Sequence, residues 1–253
     1  VPEGDTIHRV AERLRAALSG REVARAEAPN PRSPLASRAS EIEGRVLEAV
    51  EARGKHLLAH FSGAVALHSH LGMSGRWFVT ADGRPPYGRP WLTMVSGPVV
   101  ASQQGGMLLR LVSESRLRND PGLMQLGPDP LEPGFDHEQA ASRLLAGDAS
   151  VELGDALLDQ RVIAGIGNVI RNEACFRARV SPWRRLADLE RGEAVRVIEE
   201  AERVMSRGLA TGRRPRAIYR PAGRRCPRCG ERVSVRGQGD ANRITYWCPA
   251  CQV

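Results

Sequence analysis

Cys226-Pro-Arg-Cys229, eighteen intervening residues and then Cys248-Pro-Ala-Cys251 close a chain of 253 residues. Each C-x2-C turn sets two thiolates on one side of a tight knuckle, and two knuckles complete a tetrahedron of sulfur ligands. The spacing predicts one structural zinc ion held by Cys226, Cys229, Cys248 and Cys251, with no position left open for chemistry. The last 28 residues are too few to bury a core of their own, so the metal supplies their folding free energy. Val233, Val235, Ile244, Tyr246 and Trp247 predict a hairpin over residues 231–247, between the knuckles. Disulfides are the other reading of four cysteines. The opening residues lack a basic-then-apolar run, so neither a secretory leader nor an oxidising destination is expected. The fifth cysteine, Cys175, falls beside Phe176 in a helical pattern and reads as a small buried hydrophobe.

Outward from the knuckles the charge changes character. From residue 211 to the end, ten arginines from Arg213 through Arg220 to Arg243 face only Glu231 and Asp240, a surplus of +8 that equals the net charge of the whole chain. Residues 1–210 carry 27 basic and 27 acidic side chains and sum to zero. A neutral body with a cationic tail points to a polyanionic partner, each phosphate contact gaining from counterion release. A codon bias explains Arg in place of Lys but not the clustering. It also makes Lys55, the one lysine beside 36 arginines, informative, because an ammonium can exchange a proton where a guanidinium stays charged. A surface accident is the plainer reading. No run approaches the ~18 apolar residues of a membrane span, and a mean hydropathy of −0.34 fits a cytoplasmic globular protein.

Hydrophobic periodicity divides the rest. Ile7, Val10, Leu14, Ala17 and Leu18 predict a helix over residues 5–18, with Asp5 as its N-cap. Residues 22–112 read as short strands between Gly, Pro and polar turns, among them 45–50, 56–61, 65–70, 77–80 and 108–112, the pattern of a sandwich or barrel. Pro121, Pro128, Pro130 and Pro133 mark a linker. Helical spacing then returns at 138–145, 151–159, 169–176 and 193–207. The expected class is α+β and multidomain: a strand-rich part over 1–120, a helical part over 121–220 and the zinc hairpin over 221–253.

Three further segments fit the knuckles in one order: Pro2-Glu3-Gly4-Asp5-Thr6, the double turn Gln160-Arg-Val-Ile-Ala-Gly165-Ile-Gly167-Asn168-Val-Ile-Arg-Asn-Glu173, and Asn242-Arg243-Ile-Thr-Tyr-Trp-Cys248. Gly54-Lys55-His56-Leu57, His70-Leu-Gly-Met73-Ser-Gly75 and Leu126-Gly-Pro-Asp-Pro130-Leu131 lie between them. Together they resemble the formamidopyrimidine-DNA glycosylase / endonuclease VIII family of base-excision repair, in its actinobacterial form, over the whole chain. The resemblance implies a β-sandwich opened by the first helix, a helix-two-turn-helix domain and a zinc finger. Damaged double-stranded DNA would lie across the cleft between the halves, bound by a monomer that uses no nucleotide cofactor.

The resemblance also implies roles. Pro2 would be the mature terminus, its secondary amine attacking C1′ of the damaged nucleotide; an α-amine has a reference pKa of about 7.7–8.0, nearer neutrality than a lysine. The iminium formed cannot shed its charge by N-deprotonation, so it acidifies the adjacent sugar carbon and drives β- and then δ-elimination. Glu3 would be the general acid, Lys55 would assist β-elimination and Arg243 would hold a phosphate and serve δ-elimination. Asn168, with the Gly165–Gly167 turn, would contact the same backbone, and Met73 would wedge into the stack when the base swings out. The plainer readings are a helix entry for Pro2-Glu3, a helix N-cap for Asn168 and a core side chain for Met73. Activity requires that the protein begin at Pro2; with Val1 retained, the chain would be a damaged-DNA binder. The oxidised-purine branch carries an Arg-Phe-Gly element where this chain has Gln103-Gln-Gly-Gly-Met107-Leu-Leu, and the 211–225 segment is short for that branch's lesion-capping loop. Both features favour the endonuclease VIII branch and oxidised pyrimidines over a formamidopyrimidine/8-oxoguanine-type enzyme.

Overall fold

The computed structural model describes residues 1–84, 87–219 and 223–253, so Arg220 of the basic tail lies outside the described residues. The chain divides into two compact units, Val1–Gln125 and Leu126–Val253. Each is built round its own apolar core.

The first unit opens with α1 (Gly4–Leu18), whose Ile7, Val10, Leu14 and Leu18 form one buried stripe. Its N-cap is Glu3, with extended backbone, rather than the expected Asp5. Thr6, three residues on, closes a capping box by receiving the Glu3 N–H at 3.5 Å, whereas the residue at that spacing from Asp5 is His8. Asp5 sits inside the first turn and accepts the Thr6 N–H at 2.8 Å.

Eight strands follow in two antiparallel sheets. One has the order β1 (Arg25–Glu27), β6 (Leu92–Ser96), β7 (Val99–Gln104), β5 (Arg76–Thr80), and the other β2 (Leu47–Arg53), β3 (His56–Phe61), β4 (Val65–His70), β8 (Leu108–Ser113). Alternation decides their faces: Leu57, Ala59 and Phe61 of β3 and Leu67 of β4 join Leu92, Met94 and Ala101 of the other sheet in the core. The strand expected over 45–50 begins at Leu47 and runs on to Arg53, because its pairing with β3 ends only at the two-residue turn Gly54-Lys55. Strands β6 and β7 carry little period-2 signal, since residues of both faces are buried in each. Where prolines predict a linker, two short helices form, α2 (Glu114–Arg118) and α3 (Pro121–Met124), capped by Ser113 and Asp120. Pro121 opens α3, where a missing N–H costs nothing.

The second unit holds α4 (His137–Leu145), α5 (Leu153–Ala156), α6 (Asn168–Ala178) and α7 (Arg191–Thr211), then the hairpin β9 (Ser234–Gln238) and β10 (Arg243–Trp247). The helix expected over 151–159 is the single turn α5. Glu152 just before it pairs with Arg185 in an isolated β-bridge, which holds the chain extended. Phe176, Ile218, Val233, Cys226 and Cys248 form a small third cluster under the hairpin. Among the described residues no helix is long and apolar enough to cross a membrane.

Candidate functional site

In the first unit, the direction of α1 is fixed at its far end. Gly20 N–H donates to Leu47 O at 2.8 Å and Arg15 Nη2 to Val50 O at 2.8 Å, so the helix C-terminus lies over the start of β2. From Arg15 back to Glu3 the helix rises about 18 Å, and from Val50 on to Lys55 the strand advances about 17 Å. Glu3 and Lys55 are thereby directed to the same end of the unit. Glu3 is buried, 1% exposed, and Pro2 is half-buried. Lys55 occupies the β2–β3 turn, made possible by Gly54 in the left-handed region at φ +58°.

The same strand ends carry two further loops. His70 ends β4 opposite His56, the first residue of β3, and Met73 follows in the loop to β5 with 71% of its surface exposed. Exposure removes the core reading of Met73. Between β7 and β8 the chain turns within Gly105-Gly106, and Met107, also exposed, donates its N–H to His70 O at 2.8 Å. Gly106 has φ +134°, and a Cβ there would come within 2.8 Å of Gln103 Nε2. A buried set of hydrogen bonds, Trp77 Nε1–H to Ser69 Oγ and Ser69 Oγ–H to Gln103 Oε1, locks the turn to both sheets.

In the second unit, polar residues of α6 clamp the hairpin. Gly167 is the N-cap of α6 and makes no side-chain cap, so Asn168 is the first helical residue and not the cap. Asn168 Nδ2 donates to Ile244 O at 2.9 Å, which sets it beside Arg243 at the start of β10. Arg243 is exposed. Gly165 sits at φ +88°, a left-handed conformation that favours glycine, and its N–H is received by Gln160 Oε1 at 3.0 Å. Gln160 Nε2 donates to Leu158 O and Ile166 O, so one side chain stitches the double turn.

Sequence reasoning passed over the three residues that hold this arrangement. Arg171, 0% exposed, donates to Asn168 Oδ1 at 2.5 Å, Thr245 Oγ1 at 2.7 Å and Gln238 Oε1 at 3.2 Å. Asn172 Oδ1 accepts the Tyr246 N–H at 2.6 Å. The Glu173 carboxylate gathers three consecutive backbone donors, Ala217, Ile218 and Tyr219, at 2.8–2.9 Å. Buried charge persists only when satisfied in this way. The signal was present: Arg171-Asn172-Glu173 lies between Val169-Ile170 and Ala174-Cys175, which leaves the helix no polar face to turn outward.

The four cysteine sulfurs lie within 4.8 Å of one another, with Cys226 and Cys251 at 3.9 Å and Cys229 and Cys248 at 3.5 Å. Four thiolates at ~2.3 Å from a tetrahedral zinc would be ~3.8 Å apart, so the cluster fits a metal site of zinc's size and ligand preference. Cys175 lies apart, its thiol pushed up to about 12 by complete burial. Not all of the basic tail faces solvent chemistry: Arg228 stacks on Phe176 and Arg236 on Trp183, at 4.4 and 3.7 Å from the ring centroids.

Comparison with known proteins gives a consistent picture. Residues 1–105 match the formamidopyrimidine-DNA glycosylase N-terminal domain and residues 126–218 the formamidopyrimidine-DNA glycosylase H2TH domain. The chain is 39% identical over 269 residues to a probable endonuclease 8 2 of Streptomyces coelicolor, covering 100% of this chain and 94% of that one. It is 33% identical over 262 residues to the DNA-(apurinic or apyrimidinic site) lyase Nei2 of Mycolicibacterium smegmatis, covering 100% and 99%. Among solved structures, MutM (Fpg) of Thermus thermophilus superposes with a TM-score of 0.81 at 30% identity over 99% and 98% of the two chains. Lactococcus lactis Fpg, crystallised with DNA containing an abasic site, shares the fold with a TM-score of 0.84 at 22% identity, over 99% of each chain.

Proposed function

The chain belongs to the formamidopyrimidine-DNA glycosylase / endonuclease VIII family and is a DNA glycosylase/AP lyase of base-excision repair; from that premise we propose that Pro2 is its Schiff-base nucleophile and oxidised pyrimidines its preferred lesions. The observation that carries the reading is the common direction of Glu3 and Lys55 at one end of the first unit, with exposed Met73 among the loops there.

The Pro2 secondary amine attacks C1′ while the Glu3 carboxyl delivers a proton that helps open the sugar and release the base. The resulting iminium withdraws electrons from C2′, and Lys55 assists the proton transfers as the 3′ phosphate leaves. Arg243 and Asn168 bind phosphates of the same strand, with backbone N–H groups of the Gly165–Gly167 turn adding to them, and Arg243 serves the second elimination. Met73 fills the space vacated by the extruded base. Zinc, when bound by Cys226, Cys229, Cys248 and Cys251, fixes the hairpin that carries Arg243 and takes no part in the reaction. The protein acts as a monomer in the bacterial cytoplasm, where its DNA is, with its functional division falling near residues 120 and 220.

Two features support pyrimidines. The Gly105–Met107 turn is tight and lacks the Arg-Phe-Gly element, and the chain after α7 is anchored at Ala217, Ile218 and Tyr219 by Glu173, which leaves a short span before the first knuckle. Duplexes each carrying one defined lesion test this. Thymine glycol and dihydrouracil should be excised faster than 8-oxoguanine or ring-opened purines, and the opposite ranking would overturn the preference.

A further inference from the structure

On the outer face of the sheet β2-β3-β4-β8, behind Lys55, lies a line of polar groups that the reaction outlined above does not use. His56 Nδ1 is 2.8 Å from His68 Nε2. Across the next strand pair, Arg110 approaches His68 Nδ1 through Nη2 at 3.0 Å and Nε at 3.3 Å. Arg110 also pairs with the Asp120 carboxylate, which caps α3 by accepting the Leu123 N–H. His68 is 2% exposed, and His56 is half-buried.

The donor inventory gives this line a direction. A guanidinium has no acceptor, so His68 Nδ1 must offer its lone pair to Arg110, and the His68 proton resides on Nε2. That N–H can only point at His56 Nδ1, which must then accept, and the His56 proton also resides on Nε2. No other assignment satisfies each contact: a proton on His68 Nδ1 would face two guanidinium N–H groups. His56 Nε2 makes no hydrogen bond among the described residues. It is also not sealed off, since the one histidine nitrogen among the described residues that is both buried and without a hydrogen bond is His60 Nε2.

The groups that face His56 are His70 and His68 on β4, Lys55 in the adjoining turn and, through His68, Arg110 and Asp120. Burial first, and then His68, His70 and Lys55, push His56 down to about 3 against the opposing pull of Asp120. Burial and the Arg110 guanidinium push His68 down to about 4 against the same carboxylate. Both rings are therefore neutral at physiological pH, as the hydrogen-bond direction requires.

We propose that Asp120, Arg110 and His68 form a one-way relay that locks His56 as its Nε2–H tautomer, and that His56 donates this N–H to a phosphate oxygen of the DNA strand engaged by Lys55. His56 is then a further substrate-binding residue, and His68, Arg110 and Asp120 are positioning residues that act through it. A neutral donor suits the place, because a second cation beside Lys55 would be repelled, whereas an N–H dipole adds a bond to phosphate without that cost. The inference rests on the DNA glycosylase/AP lyase reading for the identity of the ligand, but the tautomer stands independently of it.

Imidazole nitrogen NMR of the full-length protein reads the relay directly. Both His56 and His68 should show the Nε2–H tautomer at pH 7 and remain neutral down to pH 5. In His68→Phe the His56 ring should titrate closer to the ordinary histidine value. In His68→Gln, whose Oε1 can accept from Arg110 and whose Nε2 can donate onward, the wild-type signature should return. An Nδ1–H tautomer at His56, or a His56 titration unmoved in His68→Phe, would overturn the relay. For the ligand, the probe is a duplex oligonucleotide with one abasic site. His56→Phe should raise its Kd roughly tenfold, the loss expected for one hydrogen bond to a charged oxygen, and His56→Gln should restore much of it. Unchanged affinity in His56→Phe, while the wild type binds and cleaves that duplex, overturns the phosphate contact alone. A wild type that neither binds nor cleaves it overturns the enzymatic reading instead.

Discussion

In Val1–Gln125, Lys55 and Met73 stand on turns whose flanking strands are held by Leu57, Phe61, Leu67 and the rest of a two-sheet apolar core. In Leu126–Val253, Arg243 stands on a two-stranded hairpin held by Arg171, Asn172 and four cysteines, while Glu173 anchors the segment Ala217–Tyr219 that leads to it. The first scaffold is non-directional and distributed, so removing one contact loses little of the geometry. The second is made of directional bonds between buried charged and polar groups, so removing one member strands its partners. Substitutions at the Glu3–Lys55 end of the first unit are therefore expected to change activity with little loss of stability, and those beneath the hairpin of the second to lower its stability.

The largest expected effect sharpens this contrast. A structural zinc site contributes on the order of 10–16 kcal/mol to its own folding, so stripping the metal with a chelator should unfold the hairpin and abolish DNA binding. Circular dichroism and amide hydrogen exchange should show the first unit still folded; retained DNA affinity in metal-free protein would break the comparison. Next in size, Glu3→Gln should slow excision of an intact damaged base by ~10³-fold, in the range of general acid catalysis, while cleavage at a preformed abasic site persists and the melting temperature is nearly unchanged. A large fall in stability in place of a kinetic defect would assign Glu3 to scaffolding. Glu173→Gln, which removes the charge from three charge-assisted bonds, should cost about 2–3 kcal/mol and lower the melting temperature of the second unit by several degrees. Its DNA affinity should weaken in step with that loss.

The smallest effect, read as the difference between one variant and the wild type, is a pH dependence carried by two histidines of the first unit. His56 and His68 have folded-state values of about 3 and about 4 against an ordinary 6.5. Below pH 6.5 the unfolded chain takes up protons that the native state refuses. Their contribution is thus fully present above about pH 6.5 and is lost progressively as pH falls towards 4 and 3. The loss should be on the order of 1 kcal/mol per histidine for each pH unit. Denaturant melts of His56→Phe at pH 7 and pH 5 should show a shallower dependence than the wild type; an identical slope would contradict the assignment.

Much of this organisation was legible in the sequence. The cysteine spacing predicts the cluster, Ile7 to Leu18 predict α1, and the order of the motifs carries the family. What was hidden has physical causes. Strands β6 and β7 are buried on both faces and so lack alternation. Asn168 reads as a helix cap by type, but its amide is engaged by Ile244 O and Arg171, contacts 76 and 3 residues away in sequence. His56 and His68 look unremarkable in sequence because their meaning lies in cross-strand register, which places His68 opposite Arg110.

The proposed reaction turns on which nitrogen joins the sugar. Wild-type protein should be mixed with a duplex containing one abasic site, reduced with borohydride, digested and its terminal peptide sequenced by mass spectrometry. A stable adduct is expected on the nitrogen of Pro2, with Pro2 as the first residue of the trapped chain. An adduct on Lys55, an adduct on the amine of a retained Val1, or efficient strand cleavage without any trapped species would contradict it.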